Sequence, residues 1–461
     1  MLALVAVAAG CGARVTDAQR ASVSGGTAAA STSGGAAAAA DPSAGSTELA
    51  PGATPQTVST GSGAESTPSA ITATTVAPPG GNGGSTDVGI TGSTIELGLV
   101  TTISGPIPGL FQGSVIGAQA FAAYANSQGG VFGRKLHLNV RDDQFDSGSN
   151  RSATQELAPR VAAFLGSFST YDDSGVPAIQ AAKVADVGYG LTDGRRSSPF
   201  NFSIQPARSR TFRTGGFEWY GRKFPGAVKA MGTLYGDIPA SKQSGLDAMA
   251  AAESVGWKWV YSRGFSPTET DFTADVVRMK SSGVKGVYLV ATDVKSMARL
   301  LKAMAQQSFK PDFIALGASG YDASLVPLAG AAAEGVYIDQ QLALYQGTDA
   351  AAIPEVALMN QWVKRVKPGF TPDLFTAYSW ASGRLLLQAL QAAGPKVTRA
   401  SLVEALRKVN DFDAGGLVAP AGPGPKRAPL CNLFIQVKGG RFVRVEPAGK
   451  GFVCAGRLFS H

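Results

Sequence analysis

Few residues in this sequence have the types and spacing that catalysis requires. Histidine occurs only at His137 and His461, so acid–base or metal chemistry built on paired histidines is nearly excluded. Ser282 and Lys285 match a Ser-x-x-Lys pattern, but the Ser-Asp-Asn and Lys-Thr-Gly segments that accompany it in penicillin-interacting enzymes are absent. The sequence also lacks a Gly-x-Ser-x-Gly elbow, a phosphate-binding Gly-x-x-x-x-Gly-Lys-Ser/Thr loop and a Cys-x-x-Cys metal pair. We therefore expect a protein that is not an enzyme and that uses no metal or cofactor.

The excess of basic residues does not indicate nucleic-acid binding. The sequence has 41 Lys and Arg against 33 Asp and Glu, a formal net charge of +8. Adjacent basic residues form only pairs, such as those at 195–196, 222–223 and 364–365. A phosphate-tracking surface would need a basic stripe with interleaved aromatic residues, so a solvated surface is the simpler interpretation.

The first 90 residues have the composition of an export signal followed by a tether. Residues 1–11 are apolar and end in Ala-Ala-Gly-Cys, which is similar to a bacterial lipoprotein signal with Cys11 as the acylated residue; a chance Ala-rich start is the alternative. Residues 12–90 are mostly Ala, Gly, Ser, Thr and Pro, and the first aromatic residue is Phe111. Such a stretch buries too little apolar surface to offset its ordering entropy. We expect a disordered tether over 12–90, a folded domain over 91–461, and a location outside the cytoplasm with the lipid as the only membrane attachment.

The two remaining cysteines are consistent with export. Cys431 and Cys454 flank two strand-like runs, 432–438 and 441–446. A disulfide between them would join a terminal hairpin to the segment that follows it, and would persist only in an oxidising compartment. Two free buried thiols are the alternative.

From Ile95 onward, short β-rich apolar runs alternate with amphipathic helical stretches. This alternation is typical of a parallel sheet covered on both faces, so the expected fold class is α/β. After residue 200 the alternation begins again, with a helix predicted over 211–223 as its first element. Long helices are predicted over 354–366 and 372–393, and the chain is expected to cross between two lobes more than once.

Several segments together resemble the type I periplasmic-binding proteins of the Leu/Ile/Val-binding, or branched-chain amino acid, family. The matching stretches are Leu-Val-Thr-Thr-Ile-Ser-Gly-Pro at 99–106, Gln-Gly-Gly-Val-Phe-Gly-Arg-Lys-Leu at 128–136, Asp-Asp-Gln-Phe-Asp at 142–146, Gly-Ser-Phe-Ser-Thr at 166–170, Thr-Asp-Phe-Thr at 270–273 and Ala-Tyr at 377–378. The resemblance implies two Rossmann-like lobes with parallel sheets, joined by a three-stranded hinge. Lobe one would be about 94–207 and 337–415, and lobe two about 208–336 and 416–461.

The resemblance also implies a function. A small molecule would bind between the lobes, and an ABC importer's permease would recognise the loaded protein because ligand stabilises lobe closure. The alternative is a ligand-sensing module of the same fold that reports to a signalling partner.

The ligand contacts implied by the resemblance come from loops at strand ends. In lobe one they are Leu110, Phe111, Ser167, Ser169, Thr170, Tyr171, Tyr189 and Thr192, and in lobe two they are Lys242, Asp293, Ser319 and Tyr321. The hydroxyls of Ser169 and Thr170 suit a carboxylate, although they could instead cap the helix that begins near Ser174. The acid that would hold an α-ammonium falls near Ala318 or Ser319, and it is missing. The expected ligand is therefore a small polar or amphipathic molecule: an amino acid, an amide or a carboxylate.

Overall fold

The computed structural model of the chain describes residue 77 and residues 79–461. Cys11, the predicted signal and most of the predicted tether lie outside the described residues. The described residues belong to one compact unit, which contains two α/β lobes. In this part of the chain, no helix combines the length and the apolar character needed to cross a bilayer.

Lobe one is built on a five-stranded parallel sheet. Its strands are β1 (Thr94–Thr101), β2 (Lys135–Asp142), β3 (Ala163–Leu165), β4 (Ala185–Val187) and β5 (Asn201–Phe202), in the order β2-β1-β3-β4-β5. The helices between them are α1 (Gln112–Ser127), α2 (Ser147–Leu157), α3 (Val176–Ala181) and α4 (Asp193–Ser197). Parallel strands need such crossover helices, and helices on both faces bury the central strands.

Lobe two is built on an eight-stranded mixed sheet. The chain enters this lobe at β6 (Thr211–Arg213). The elements that follow are, in order, α5 (Gly215–Lys223), β7 (Met231–Gly236), α6 (Pro239–Glu253), β8 (Trp259–Phe265), α7 (Thr273–Ser281), β9 (Gly286–Leu289), α8 (Val294–Gln306), β10 (Phe313–Leu316), α9 (Leu325–Ala329) and β11 (Tyr337–Gln340). The main sheet order is β13-β12-β11-β10-β9-β7-β8, where the late strands β12 (Cys431–Lys438) and β13 (Arg441–Glu446) are antiparallel to their neighbours. Two short strands follow: β14 (Val453–Cys454) pairs with β12, and β15 (Leu458–Ser460) pairs with β6.

Between β11 and β12 the chain returns to lobe one. The helices of this return are α10 (Asp349–Ala352), α11 (Pro354–Val366), α12 (Leu374–Ala393) and α13 (Arg399–Arg407). Helix α12 packs against α1, with the Phe121 and Trp380 ring centroids 5.6 Å apart. A Cβ on Gly117 would lie 2.3 Å from the carbonyl oxygen of Thr376, so this close helix contact requires glycine.

The chain passes between the lobes three times. The first passage includes β6, the second follows β11 and the third ends at the start of β12, and hydrogen bonds join them. Gln205 Nε2 donates to the carbonyl oxygen of Gln341 at 3.0 Å, and Gln341 Nε2 donates to Asn432 Oδ1 at 2.6 Å. These amides connect all three passages in one buried polar network.

Three boundaries predicted from the sequence differ from the structure. The predicted helix over 211–223 is a helix only from Gly215, because residues 211–213 form β6 against β15. The predicted return to lobe one at 337 is four residues early, since Tyr337–Gln340 is β11 between β10 and β12 of lobe two. The predicted tether over 12–90 is wrong for residues 82–90, which pack on lobe one.

Arg134 holds this N-terminal segment. The side chain is fully buried, and within the described part of the chain it donates hydrogen bonds only to backbone carbonyl oxygens. The acceptors are Thr91 at 2.6 Å, Pro395 at 2.8 Å, Asn82 at 2.5 Å and Gly84 at 3.0 Å. Ile90 is also buried, at 1% exposure. The folded domain therefore begins near residue 82 instead of residue 91.

The predicted disulfide between Cys431 and Cys454 is confirmed. The two cysteines face each other where β14 pairs with β12. The bond thus joins the β12–β13 hairpin to the segment that follows it, as the spacing predicted.

Breaking this disulfide is expected to lower the free energy of unfolding by about 3 kcal/mol, because the bond closes a loop with a sequence separation of 23 residues. Urea unfolding of the Cys431→Ser/Cys454→Ser double variant measures the change. Cys11→Ser is the control, since it leaves the bond intact. Equal stability of the double variant and the control would contradict the expectation.

Candidate functional site

A cavity of about 350 Å³ lies between the two lobes. It is lined by loops that follow the carboxyl ends of β1, β3 and β4 in lobe one and of β7, β9 and β10 in lobe two. Ligands of open α/β sheets usually bind at these strand ends. The N-terminus of α12 and the passages at 212–213 and 341 complete the wall.

Aromatic side chains form most of the apolar wall. On lobe one, Phe168, Tyr189 and Tyr378 stack face to face, with centroids 6.2 Å (Phe168–Tyr189), 5.1 Å (Tyr189–Tyr378) and 6.0 Å (Phe168–Tyr378) apart. Lobe two contributes Phe265 and Tyr288 to the same cavity. Such an aromatic wall, with polar groups elsewhere in the lining, suits an amphipathic molecule that has a flat or branched apolar body.

Seven of the twelve residues predicted to contact ligand line the cavity. They are Leu110, Phe111, Thr170, Tyr189, Asp293, Ser319 and Tyr321. The other five, Ser167, Ser169, Tyr171, Thr192 and Lys242, do not line it. Ligand contact stays a prediction for the seven residues that line the cavity. For the other five residues, the geometry does not support ligand contact.

The side chains in the second group have other partners. The hydroxyl of Ser167 accepts from the backbone N–H of Val100 at 3.1 Å, and that of Thr192 caps α4. Tyr171 packs edge-on against Phe145. Lys242 forms an exposed ion pair with an aspartate in the loop after β7, at 3.0 Å.

Thr170 is the polar residue that most clearly lacks a partner. Its side chain is 5% exposed, it lines the cavity, and its hydroxyl oxygen has no hydrogen-bond partner among the described residues. The capping alternative is wrong, because the N-cap of α3 is Gly175 and has no side-chain hydrogen bond. The Ser169 hydroxyl instead accepts from the backbone N–H of Tyr171 at 3.1 Å. A buried hydroxyl left unpaired costs free energy, and a ligand group that bonded to Thr170 would remove that cost.

Four carboxylates line the cavity, and none stands at the position of the missing acid. Asp293 caps α8, Asp373 caps α12, and Asp322 accepts from the backbone N–H of Ser324 at 2.7 Å. Ala318 and Ser319 stand where the acid was expected, and the Ser319 hydroxyl donates to the backbone carbonyl oxygen of Thr292 at 2.8 Å.

The fourth carboxylate, Asp339, is buried in lobe two. It accepts from the hydroxyls of Tyr288 at 3.2 Å and Tyr220 at 3.4 Å. Burial raises the pKa of Asp339 to about 6, although the nearby charge of Arg213 acts in the opposite direction. The group thus titrates close to neutral pH at the cavity wall.

The loops of lobe one rest on a buried ion cluster. Arg195 forms ion pairs with Asp186 at 2.7 Å and with Asp172 at 3.2 Å, and all three side chains are at most 4% exposed. The same guanidinium donates to the carbonyl oxygens of Ser167 at 2.8 Å and Tyr189 at 3.2 Å. Arg195 therefore fixes both loops that carry the lobe-one wall, without lining the cavity itself.

The sequence profile of the periplasmic binding protein family matches residues 94–440. The chain belongs to that family. Several curated relatives of this periplasmic binding protein are similar over most of their length. A Leu/Ile/Val-binding protein homolog 1 of Brucella suis is 26% identical over 288 residues, which cover 60% of this chain and 73% of that protein. An amino acid binding protein of Pseudomonas aeruginosa is 27% identical over 303 residues, with the same coverage.

Solved structures show the same fold as this binding protein. A fatty acid ABC transporter substrate-binding protein from Thermomonospora curvata has a TM-score of 0.67 at 20% identity, covering 83% of this chain and 97% of that one. A branched-chain amino acid ABC transporter protein from Thermus thermophilus with bound valine has a TM-score of 0.67 at 19% identity, covering 79% and 97%. The predicted α/β fold with two lobes is confirmed.

Sequence reasoning missed several cavity residues of this periplasmic binding protein. They are Phe168, Tyr288, Tyr378, Asp339, Gln341 and Arg213. Phe168 and Tyr378 stood inside the stretches that carried the family resemblance, so their positions were available as a signal. Arg213 was assigned to the interior of a helix, and that assignment hid its place at the entry to lobe two.

Proposed function

We propose that this binding protein is the extracytoplasmic solute-binding component of an ABC importer, and that it takes a small amphipathic molecule into the inter-lobe cavity. The observation that carries the proposal is the cavity of about 350 Å³ whose wall comes from both lobes. A ligand that touches both lobes stabilises their closed arrangement, and a permease can then distinguish loaded from empty protein. The volume is at the small end of ligand pockets in general.

The names of the similar proteins support this class of ligand. Relatives are named for Leu, Ile and Val or for amino acids, and one structural neighbour for fatty acids. These ligands share a carboxylate on an apolar body. The cavity has matching features, namely the aromatic wall and the unpaired Thr170 hydroxyl.

Thermal unfolding of the full chain against a panel of small molecules tests the proposal. The panel contains branched-chain and aromatic amino acids, the corresponding amides, and the corresponding carboxylic acids without an amino group. A ligand that binds only the folded state raises the melting temperature as its concentration rises. Deletion of the gene should also abolish uptake of the ligand found; unchanged uptake with altered transcription would favour a sensor.

Thr170→Val is expected to weaken binding of the panel ligand by about 10-fold, and to leave the free energy of unfolding unchanged or slightly higher. The reason is that the hydroxyl has no partner to lose in the described part of the chain. Isothermal titration and urea unfolding measure the two effects. Thr154→Val is the control, because its hydroxyl donates to the Asn150 carbonyl oxygen at 2.8 Å and the residue does not line the cavity. Unchanged affinity in Thr170→Val would remove this residue from the site.

We also propose that Cys11 carries a lipid that anchors the protein to the outer face of the membrane. The support is the apolar run closed by Ala-Ala-Gly-Cys. Cells fed a labelled fatty acid should label the wild-type protein and not the Cys11→Ser variant. Equal labelling, or none in either, would count against the anchor.

A further inference from the structure

Arg213 is a cation in the cavity wall without an acidic partner. Its Nη2 donates to Gln341 Oε1 at 2.5 Å, and its Nε is 3.4 Å from Asn432 Oδ1. Both acceptors are neutral amides. Within residues 79–461, Arg213 forms no ion pair and its Nη1 makes no hydrogen bond.

The second arginine of the cavity wall and the buried carboxylate of Asp339 already have partners, whereas Lys295 also lines the cavity but is exposed to solvent. Arg196 donates to the Gly190 carbonyl oxygen at 2.9 Å and lies 3.5 Å from Asp193. The carboxylate of Asp339 accepts from two tyrosine hydroxyls and forms no ion pair with Arg213, although the nearby charge of Arg213 acts to lower its pKa. The positive charge of Arg213 is therefore left to face the cavity.

We propose that Arg213 binds a carboxylate of the ligand, so that the cargo is an anion on an apolar body whose charged end meets lobe two. This inference rests on the proposed function and names its substrate class. Closing the lobes over ligand removes water from the guanidinium, and a desolvated charge requires a counter-charge. The free edge of a guanidinium matches the geometry of a carboxylate, which is the anionic group of many small apolar molecules.

The position of Arg213 also connects the ligand to the passages between the lobes. Arg213 lies on the first passage, and its two acceptors, Gln341 and Asn432, lie on the second and third. A carboxylate on Arg213 thus bonds to the point where all three passages meet. The side chain that would bind the ligand is therefore hydrogen-bonded to the residues that join the passages between the lobes.

Matched probes separate charge from shape. 3-Phenylpropionate, 3-phenylpropionamide and L-phenylalanine share one ring and chain length, as do 4-methylpentanoate, 4-methylpentanamide and L-leucine. Titration calorimetry on the full chain measures each probe. We expect at least one acid or amino acid to bind, and its amide to bind at least 10-fold more weakly, because a hydrogen bond to a charged group is lost. Comparing the affinity of each acid with that of the amino acid of the same apolar body shows whether the preferred ligand also carries an amino group.

Arg213→Gln is expected to weaken binding of the acid at least 10-fold and to erase the preference for acid over amide. Arg213→Lys keeps the positive charge but lacks the planar guanidinium group, and should give an intermediate affinity. This second variant keeps the test valid if Arg213→Gln misfolds. Lys302→Gln, at an exposed position on α8 that does not line the cavity, should bind like wild type. Amides that bind as well as acids, or full affinity in Arg213→Gln, would overturn the inference and leave the proposed function intact. Failure of every acid, amide and amino acid to bind would overturn both.

Discussion

Replacing Arg195 with methionine is expected to lower the free energy of unfolding by about 3–5 kcal/mol. The substitution leaves Asp186 and Asp172 buried at 2% and 4% side-chain exposure without their cation. It also removes two donors from the carbonyl oxygens of the loops at 167 and 189. Because these loops carry part of the cavity wall, we expect weaker ligand binding as well as lower stability.

The loss should depend on pH in a defined direction. Burial already raises the pKa of Asp172, and Arg195 opposes that rise. Without Arg195 the pKa of Asp172 in the folded protein rises further above its unfolded value, so protonation at lower pH removes the buried charge and restores stability. The difference between variant and wild type should therefore be smaller at pH 5 than at pH 8.

Urea unfolding at both pH values measures this difference. Arg160→Met is the matched control, because Arg160 is 70% exposed and its ion pair with Glu156 is a surface one. A loss below about 1 kcal/mol in Arg195→Met, like that expected of the control, would show that the cluster does not stabilise lobe one.

Replacing Arg134 with methionine is expected to cost about 2–4 kcal/mol, since hydrogen bonds from a charged donor to four backbone carbonyls disappear together. The effect should begin locally. Residues 82–92 should exchange their amide hydrogens faster than the sheet of lobe one, because three of the four carbonyl groups that Arg134 binds lie in this segment.

Hydrogen exchange followed by mass spectrometry resolves this order of events. Arg151→Met, at an exposed position on α2, is the control and should leave both the exchange and the stability unchanged. Slow exchange of residues 82–92 in Arg134→Met would show that other contacts hold the segment, such as the hydrogen bond from Thr86 to the Val397 carbonyl oxygen.

Elements that depend on residues close together in the sequence were predicted correctly. The helix over 354–366 was predicted with the bounds that the structure has, because a proline at its first turn and an apolar spacing define it. The disulfide pair was also predicted, since only two cysteines flank one hairpin.

Non-local pairing accounts for what the sequence did not show. The strand at 211–213 has only three residues, and its partner at 458–460 lies far along the chain, so no periodicity marks it. Likewise, nothing near Tyr337 shows that β11 pairs with β12 after a return through lobe one. In the cavity, the loops after lobe-one strands were expected, whereas Arg213 and Asp339 depend on how the passages meet.

The packing of α12 on α1 determines when lobe one can complete its core during synthesis of the chain. Phe121 and Tyr124 of α1 are covered by Trp380 and Trp362, which emerge from the ribosome only after the parallel strands β7–β11 of lobe two. Lobe one therefore cannot complete its core first, although its sheet comes first in the chain. A nascent chain that stops near residue 340 would expose this aromatic face, so we expect neither lobe to be expressible as a contiguous fragment.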